Sequence, residues 1–309
     1  MNGSFTSKHF TLEKVSEHVY SAIAKEDGGS GANAGFVNLG DKTIVFDTFN
    51  TQQAAEDLKI LAENITGQPV KWVINSHWHG DHIRGNQVFK DSQIISSNLT
   101  YSKMKDTHPT RIKKQKDDIE GLTNYIQTLK EQLTQNGEME LHNQIGFLME
   151  LKLSLPTLEL VLPSQTFHDE ISFYGSERSA KLFTLGGGHS FCDSMLYIPD
   201  EKVMFMGDLL FVHCHPTFFE ETNPLKWMEI LKKIHTLEID AAIPGHGLVG
   251  TKEDITLLTR YINELCLITS EGLTNKNIKV PDRYKHWSSP ENYIQNVTRI
   301  VEWKKITME

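Results

Sequence analysis

The chain predicts an α/β fold in which sheets are flanked by helices and one helical excursion interrupts the middle. Three observations predict it. Two apolar, β-branched runs, then a helical pattern, then another apolar run follow one another between Asn33 and Ser76, which is the order of an α/β layer. Helical spacing without strand signals fills about Thr107 to Leu153. Runs of strand length then return from Leu160 onward.

Taken in order, "NAGFVNLG" and "KTIVFDT" read as short strands bounded by Gly, Asp and Asn. A helix follows from about Gln52 to Asn64, with Ala54, Ala55, Leu58, Leu61 and Ala62 on one face. "VKWVINS" is fit for a buried strand. In the central segment Ile112, Ile119, Leu122, Ile126, Leu129 and Leu133 keep helical spacing; "TQNGE" breaks it, and Leu141, Ile145, Leu148 and Leu151 resume it. Two helices joined by a turn are expected, a hairpin inserted at about 107–153. It is either an extra layer over apolar surface, a lid over an active site, or a homodimer contact. "LELVL", "EISFYG", "AKLFTL", "MLYIP" and "KVMFMGD" read as strands. Helices are expected from about Leu225 to Leu237 and Lys252 to Leu267, around the short strand "AAIPGHG". A helical tail covers about 268–309, with Tyr293, Ile294, Val297, Ile300 and Val301 at helical spacing. No repeat, low-complexity tract or long linker divides the chain, so a single domain over 1–309 is expected.

Composition excludes several classes. With 309 residues, 39% hydrophobic and 23% charged, a packed core is available. Forty acidic against thirty-one basic residues give a net charge of −9, which repels a nucleic-acid backbone. No apolar stretch is long enough to cross a bilayer. The first twenty residues lack the apolar core of an export signal. The three cysteines Cys192, Cys214 and Cys266 make no disulfide framework. A cytoplasmic protein with a small-molecule partner, and neither nucleic acid nor membrane, is expected.

Of fourteen histidines, His9, His18, His108, His142, His168, His235 and His286 stand singly in ordinary sequence and read as surface or hydrogen-bonded structural residues. The others fall in tight motifs. "SHWHGDH" places His77, His79, Asp81 and His82 directly after an apolar run. Two histidines two apart on an extended segment point to the same side. A turn at Gly80 can then bring Asp81 and His82 back toward them. Neutral imidazoles with a carboxylate are a metal-donor set. "GGGHSFCD" presents His189, with Asp193 placed to fix a tautomer or tie down the loop. Asp208 ends the apolar "VMFMGD", where a buried carboxylate calls for a cation. His246 sits between glycines in "AIPGHG". Each motif leaves a donor at the exit of an expected strand, where α/β folds place ligands. Just past Asp208, "LLFVHCHPTFF" carries His213 and His215. One of them lines a substrate pocket and donates a hydrogen bond, for which we take His215, or both are structural. Trp78, Phe211, Phe218 and Phe219 are either pocket wall or core. Cys192 and Cys214 lie near these motifs without a partner pattern for catalysis.

"HWHGDH", "GGGHS", "GD" and "PGHG", in this order, resemble the metallo-β-lactamase-fold hydrolase superfamily over about Phe10 to Leu267. The resemblance implies a four-layer αβ/βα sandwich with metals at one edge; the inserted hairpin and the tail lie outside the pattern. It implies one metal on His77, His79 and His189, a second on Asp81, His82 and His246, and Asp208 bridging both. Asp47, closing "KTIVFD", matches a supporting position. Two divalent cations are expected, zinc by default, with iron or manganese also suited to the set. Such a pair lowers the pKa of a bridging water to roughly 7 from about 15.7, and the hydroxide attacks a carbonyl or phosphorus. Asp81 would orient it or shuttle a proton. A bridging Asp, where antibiotic-degrading members carry Cys or Ser, implies a lactone, ester or thioester. The alternatives are a phosphodiesterase, a weak β-lactamase, or a non-catalytic, metal-stabilised binding or regulatory protein.

Overall fold

The computed structural model describes residues 6–136, 139–270 and 278–307. They fall into two compact units. The first runs up to His168 and includes Phe173–Ser179; the second takes Asp169–Ser172 and everything from Ala180 on.

The first unit is built on a seven-stranded sheet whose strands lie in chain order: β1 (Phe10–Lys14), β2 (Val19–Ala24), β3 (Ala34–Asn38), β4 (Thr43–Phe46), β5 (Val70–Ile74), β6 (Gln93–Ser97) and β7 (Gln165–Phe167). β1 to β4 pair antiparallel, and β4 to β7 pair parallel. A parallel pair needs a crossover. Helix α1 (Gln52–Thr66) supplies it between β4 and β5. Thr51 caps its first turn by accepting from the Ala54 N–H, and Gly67, with φ 68°, ends it. The apolar stripe anticipated on this helix is the face it buries: Ala54, Ala55, Leu58, Leu61 and Ala62 pack with Phe36, Val45, Val73 and Ile94 of the sheet.

The helical insert departs from expectation. It holds three helices: α3 (Asn98–Asp117), α4 (Ile119–Asn136) and α5 (Met139–Ser154), the short α2 (Gly80–Ile83) lying earlier in the chain. α3 starts nine residues before the anticipated boundary of Thr107 because Ser97 caps it through the Thr100 N–H. Its first turns are too polar to show an apolar stripe. An additional break falls at Asp118, whose N–H donates to Lys114 O while its carbonyl accepts from Leu122 N–H, besides the one between Asn136 and Met139 within the anticipated turn. Of the anticipated turn "TQNGE", residues 137 and 138 lie outside the described residues. "LELVL" is an extended segment without a ladder rather than a strand. Leu160 and Leu162 pack beside Trp78, Ile83 and Met104, while Val161 O accepts from Asn86.

The second unit carries a five-stranded sheet, ordered β12-β11-β10-β9-β8, from β8 (Glu170–Tyr174), β9 (Ser179–Thr184), β10 (Ser194–Ile198), β11 (Val203–Val212) and β12 (Ala241–Gly247). All ten residues of β11 are buried, which a continuous apolar run predicts for a strand covered on both faces. Helices α6 (Pro224–His235), α7 (Lys252–Ser270) and α8 (Glu291–Thr307) complete the unit. Asn223 caps α6 and Pro224 opens it. Trp227, Leu231 and Ile234 of α6 and Leu258, Ile262 and Leu265 of α7 enter the same core as β11. Within the anticipated tail, residues 271–277 lie outside the described residues. No helix among the described residues is long and apolar enough to cross a membrane.

Tyr293 of α8 is buried 5.8 Å from the Tyr261 ring, and burial, with Glu264 beside it, pushes its hydroxyl up from 10.0 to about 12. The folded state thus favours the protonated phenol. Its contribution is complete below about pH 10 and is lost as the pH rises through about 12. The urea unfolding midpoint is therefore expected to fall over that interval, and to fall less in Tyr293→Phe.

Candidate metal centre

In the first unit the donors stand where β5 gives way to α2. His79 is the N-cap of that short helix, with φ −67° and ψ 148°. The chain therefore turns by entering a helix at Gly80, and Gly80 itself is not among the residues of positive φ. This single helical turn carries Asp81 and His82. His77, His79 and His82 are buried; Asp81 keeps 30% of its side chain exposed, with a carboxylate oxygen 3.8 Å from His82 Nε2.

A buried carboxylate organises these rings. Asp47 adopts φ 60° just past β4, a left-handed conformation that aspartate tolerates better than most residues. Its Oδ1 accepts from the Ser76 N–H at 2.7 Å, and its Oδ2 from the Ser76 hydroxyl at 2.7 Å. Oδ2 also accepts from His82 Nδ1 at 2.8 Å. The one proton of the Ser76 hydroxyl is thereby committed, so His77 Nδ1, 2.9 Å away, donates to Ser76 Oγ. In both histidines the lone pair is left on Nε2, free to face a metal. His77 Nε2 lies 2.9 Å from His79 Nδ1. Burial pushes the Asp47 carboxyl up, while His82 and Ser76 pull it back. The loop is tied further from outside the motif. Thr48 N–H donates to His82 O at 2.9 Å. Asn75 and Asn86 exchange hydrogen bonds at 3.0 and 2.9 Å. Ser76, Thr48 and Asn86 were not singled out in the sequence. Only Ser76 had a signal, its place next to His77.

Trp78 is buried between two of the donors. Its carbonyl accepts from Nε2 of His108 at 2.6 Å. Burial pulls the His108 imidazole down to about 4, with Arg84 and Arg111 acting in the same direction, so the ring is neutral at pH 7.

In the second unit, His189 follows the glycine run after β9 and is fully buried. Asp193 clamps this loop. Its carboxylate accepts from the N–H groups of Gly188, His189 and Ser190 at 2.7, 3.0 and 3.1 Å, and from the Ser190 hydroxyl at 2.6 Å. It ties down the loop backbone, and the hydroxyl of Thr222 donates to His189 O. Asp208 lies inside β11, where the register against β12 shifts. Gly207 takes φ 52° at that shift, a bulge that re-aims the next side chain. A Cβ on Gly245 would come within 1.9 Å of Asp208 Oδ1, so only glycine fits opposite this carboxylate. Oδ2 of Asp208 lies 3.2 Å from His189 Nε2 and 3.4 Å from His246 Nε2. Phe211 stacks on the His246 ring at 5.0 Å and meets His189 at 5.8 Å. It thus holds two of the donor rings.

His213 is exposed, with φ 53°. His215 is fully buried. Its Nδ1 is 3.0 Å from the Tyr261 hydroxyl and its Nε2 3.2 Å from Tyr284 O. Both nitrogens are engaged within an aromatic cluster of Tyr261, Trp287 and Tyr293, and nothing in this placement supports donation to a substrate. Phe218 is core and Phe219 is 40% exposed beside His189. Burial raises the Cys214 and Cys266 thiols, against a nucleophilic role.

The donor chemistry fits divalent cations. The first unit offers His77, His79, Asp81 and His82, the second His189, Asp208 and His246, all imidazole nitrogens and carboxylate oxygens. Removing the Asp47 carboxylate leaves three buried donors unsatisfied, so Asp47→Ala is expected to lower unfolding free energy by about 2–4 kcal/mol in urea titration.

The metallo-beta-lactamase superfamily model matches residues 27–246, well over half of the chain. The curated "Beta-lactamase-like protein 2 homolog" of Caenorhabditis elegans is 23% identical over 246 residues. That match takes in 78% of this chain but spans only 65% of the relative's length. Two solved structures share the fold. The metallo-beta-lactamase from Pontibacter korlensis superposes with a TM-score of 0.57 at 15% identity, covering 82% of this chain and 99% of that one. VMB-1 gives 0.57 at 18% identity, covering 84% and 99%. These likenesses show the α/β sandwich that the motifs implied. Its His/Asp metal-binding residues follow β5 and β9, end β12 and, for Asp208, sit at a bulge inside β11 rather than at a strand exit; the chain belongs to the metallo-β-lactamase superfamily.

Proposed function

We propose that this chain is a dinuclear metal-dependent hydrolase acting on a small ester-like carbonyl compound: a lactone, ester or thioester. Asp208 carries the reading. It is a carboxylate 4% exposed at a bulge inside the buried strand β11, with two imidazole Nε2 atoms within 3.4 Å of one of its oxygens. A carboxylate buried there needs positive charge, and it is the residue that the resemblance makes the bridge between two metals.

His77, His79 and His189 would hold one ion, Asp81, His82 and His246 the other, and Asp208 both. Divalent cations in such a set supply Lewis-acid polarisation of a carbonyl and acidification of water. The chain's own residues do the rest. Asp47 and Ser76 fix the tautomers of His82 and His77. Asp193 holds the His189 loop, and Phe211 keeps the His246 ring in plane by stacking. Asp81, whose side chain is partly exposed, would take a proton from the attacking water or orient it. Zinc suits these donors; iron and manganese are accepted by the same set. Asp208 supports a lactone, ester or thioester over a β-lactam. The net charge of −9 supports a small substrate over a nucleic acid.

Purified protein is expected to contain two equivalents of divalent metal and to hydrolyse at least one of a panel of lactones, thioesters, β-lactams and phosphodiesters. Dialysis against a chelator should abolish turnover, and added Zn2+ should restore it. Asp208→Ala should lose metal and turnover together. A variant that keeps both removes Asp208 from the centre, and a metal-loaded wild type inert to the whole panel favours a binding protein.

A further inference from the structure

Helix α3 turns one stripe of side chains toward the segment between His77 and Arg84. Met104, His108, Arg111 and Gln115 are spaced four, three and four apart, the spacing of a single helix face. Each makes a different contact. Met104 packs with Trp78 and Ile83. The His108 ring, 1% exposed, bonds the Trp78 carbonyl at 2.6 Å and meets the indole edge at 5.9 Å. The Arg111 guanidinium lies 4.8 Å over the indole ring, a cation–π contact. Gln115 Oε1 accepts from Arg84 Nη2 at 2.6 Å. Arg84, itself buried, extends the contact: its Nη1 donates to Asn50 Oδ1 at 3.2 Å, and a Cβ on Gly80 would lie 3.0 Å from its Nε.

Trp78 is therefore held at three points. Its ring face meets a cation, its ring packs on apolar side chains, and its carbonyl meets an N–H. The carbonyl matters most, because it belongs to the peptide joining Trp78 to His79. Fixing that plane fixes ψ of Trp78 and constrains φ of His79, hence the directions in which the flanking imidazoles point. The contact also requires a protonated Nε2 on His108.

We propose that α3 is a brace for the metal-donor loop and that His108 is a positioning residue, its Nε2–H holding the Trp78 carbonyl so that His77 and His79 face a metal ion in the correct orientation. This assignment rests on the metallohydrolase reading above. It gives the first helix of the insert a role distinct from covering apolar surface, from closing over a substrate and from joining two copies of the chain.

The test is Zn2+ affinity, measured by competition with a chromophoric chelator on the full chain, alongside the thermal midpoint of each metal-free protein. His108→Leu removes the donor and is expected to weaken Zn2+ binding about 10–100-fold, the usual effect of losing a group that orients a metal ligand. His108→Gln keeps an N–H at nearly the same reach and should recover most of that loss at a metal-free midpoint similar to that of the Leu variant. Arg111→Met, on the exposed side of the same clasp, should weaken binding several-fold, and it carries the comparison if the Leu variant does not fold. A wild type that binds no Zn2+ fails the metallohydrolase reading and the brace with it. A wild type that binds, with the Leu and Met variants equal to it, overturns the brace alone. A Gln variant as weak as the Leu variant overturns the role of the N–H.

Discussion

A single buried carboxylate sets the geometry of the first unit's metal donors. Asp47 is 1% exposed and has three donors on two oxygens. Burying it without them would cost several kcal/mol, so its position and theirs are mutually determined. Strands β4 and β5 run parallel as neighbours, which brings the end of one beside the end of the other. Asp47 leaves β4 with a left-handed backbone and reaches across to Ser76, just past the end of β5. The order is electrostatic as well as geometric: the carboxylate commits the serine proton, the serine commits the His77 proton, and two imidazoles are left with their lone pairs on Nε2.

The second unit reaches the same end by other means. Asp193 collects backbone N–H groups from consecutive residues around His189, an anchoring of the main chain and not of the ring. Asp208 is aimed by a bulge, and the space its carboxylate needs exists only because position 245 has no side chain. In each unit the donors sit on or directly beside strands whose side chains are locked in a core, which holds a site more closely than a mobile loop does. The aromatic residues divide accordingly. Phe211 serves the donors, stacking on His246. The Tyr261, Tyr284, Trp287 and Tyr293 cluster serves the core, with His215 sealed inside it.

The insert joins structure to chemistry differently. α4 and α5 meet through Ile126, Leu129 and Ile145, an ordinary helical hairpin. α3 spends its inner face on the loop that bears His77 and His79. A helix is stiffer than a loop, so a donor segment packed against one loses conformational freedom before any ion arrives. Less ordering then remains to be done on binding.

What the sequence by itself determined is whatever local pattern encodes. Alternating and continuous apolar runs marked most of the strands, and the stripe on α1 marked the face it buries. The donors were readable because each lies within a few residues of a strand end and a glycine, so spacing alone groups them. Tertiary structure decided the rest, because those features depend on residues far apart in the chain. His108 looks like any solitary polar residue until Trp78, thirty positions earlier, is set against it. His215 sits two residues from His213 in a suggestive motif, yet its partners Tyr261 and Tyr284 lie 46 and 69 positions away and draw it into the core. "LELVL" has the composition of a strand, but a strand also needs a neighbouring ladder, and its side chains pack without one. Periodicity reports which face of a segment is apolar; which partner meets that face is settled only when the chain folds.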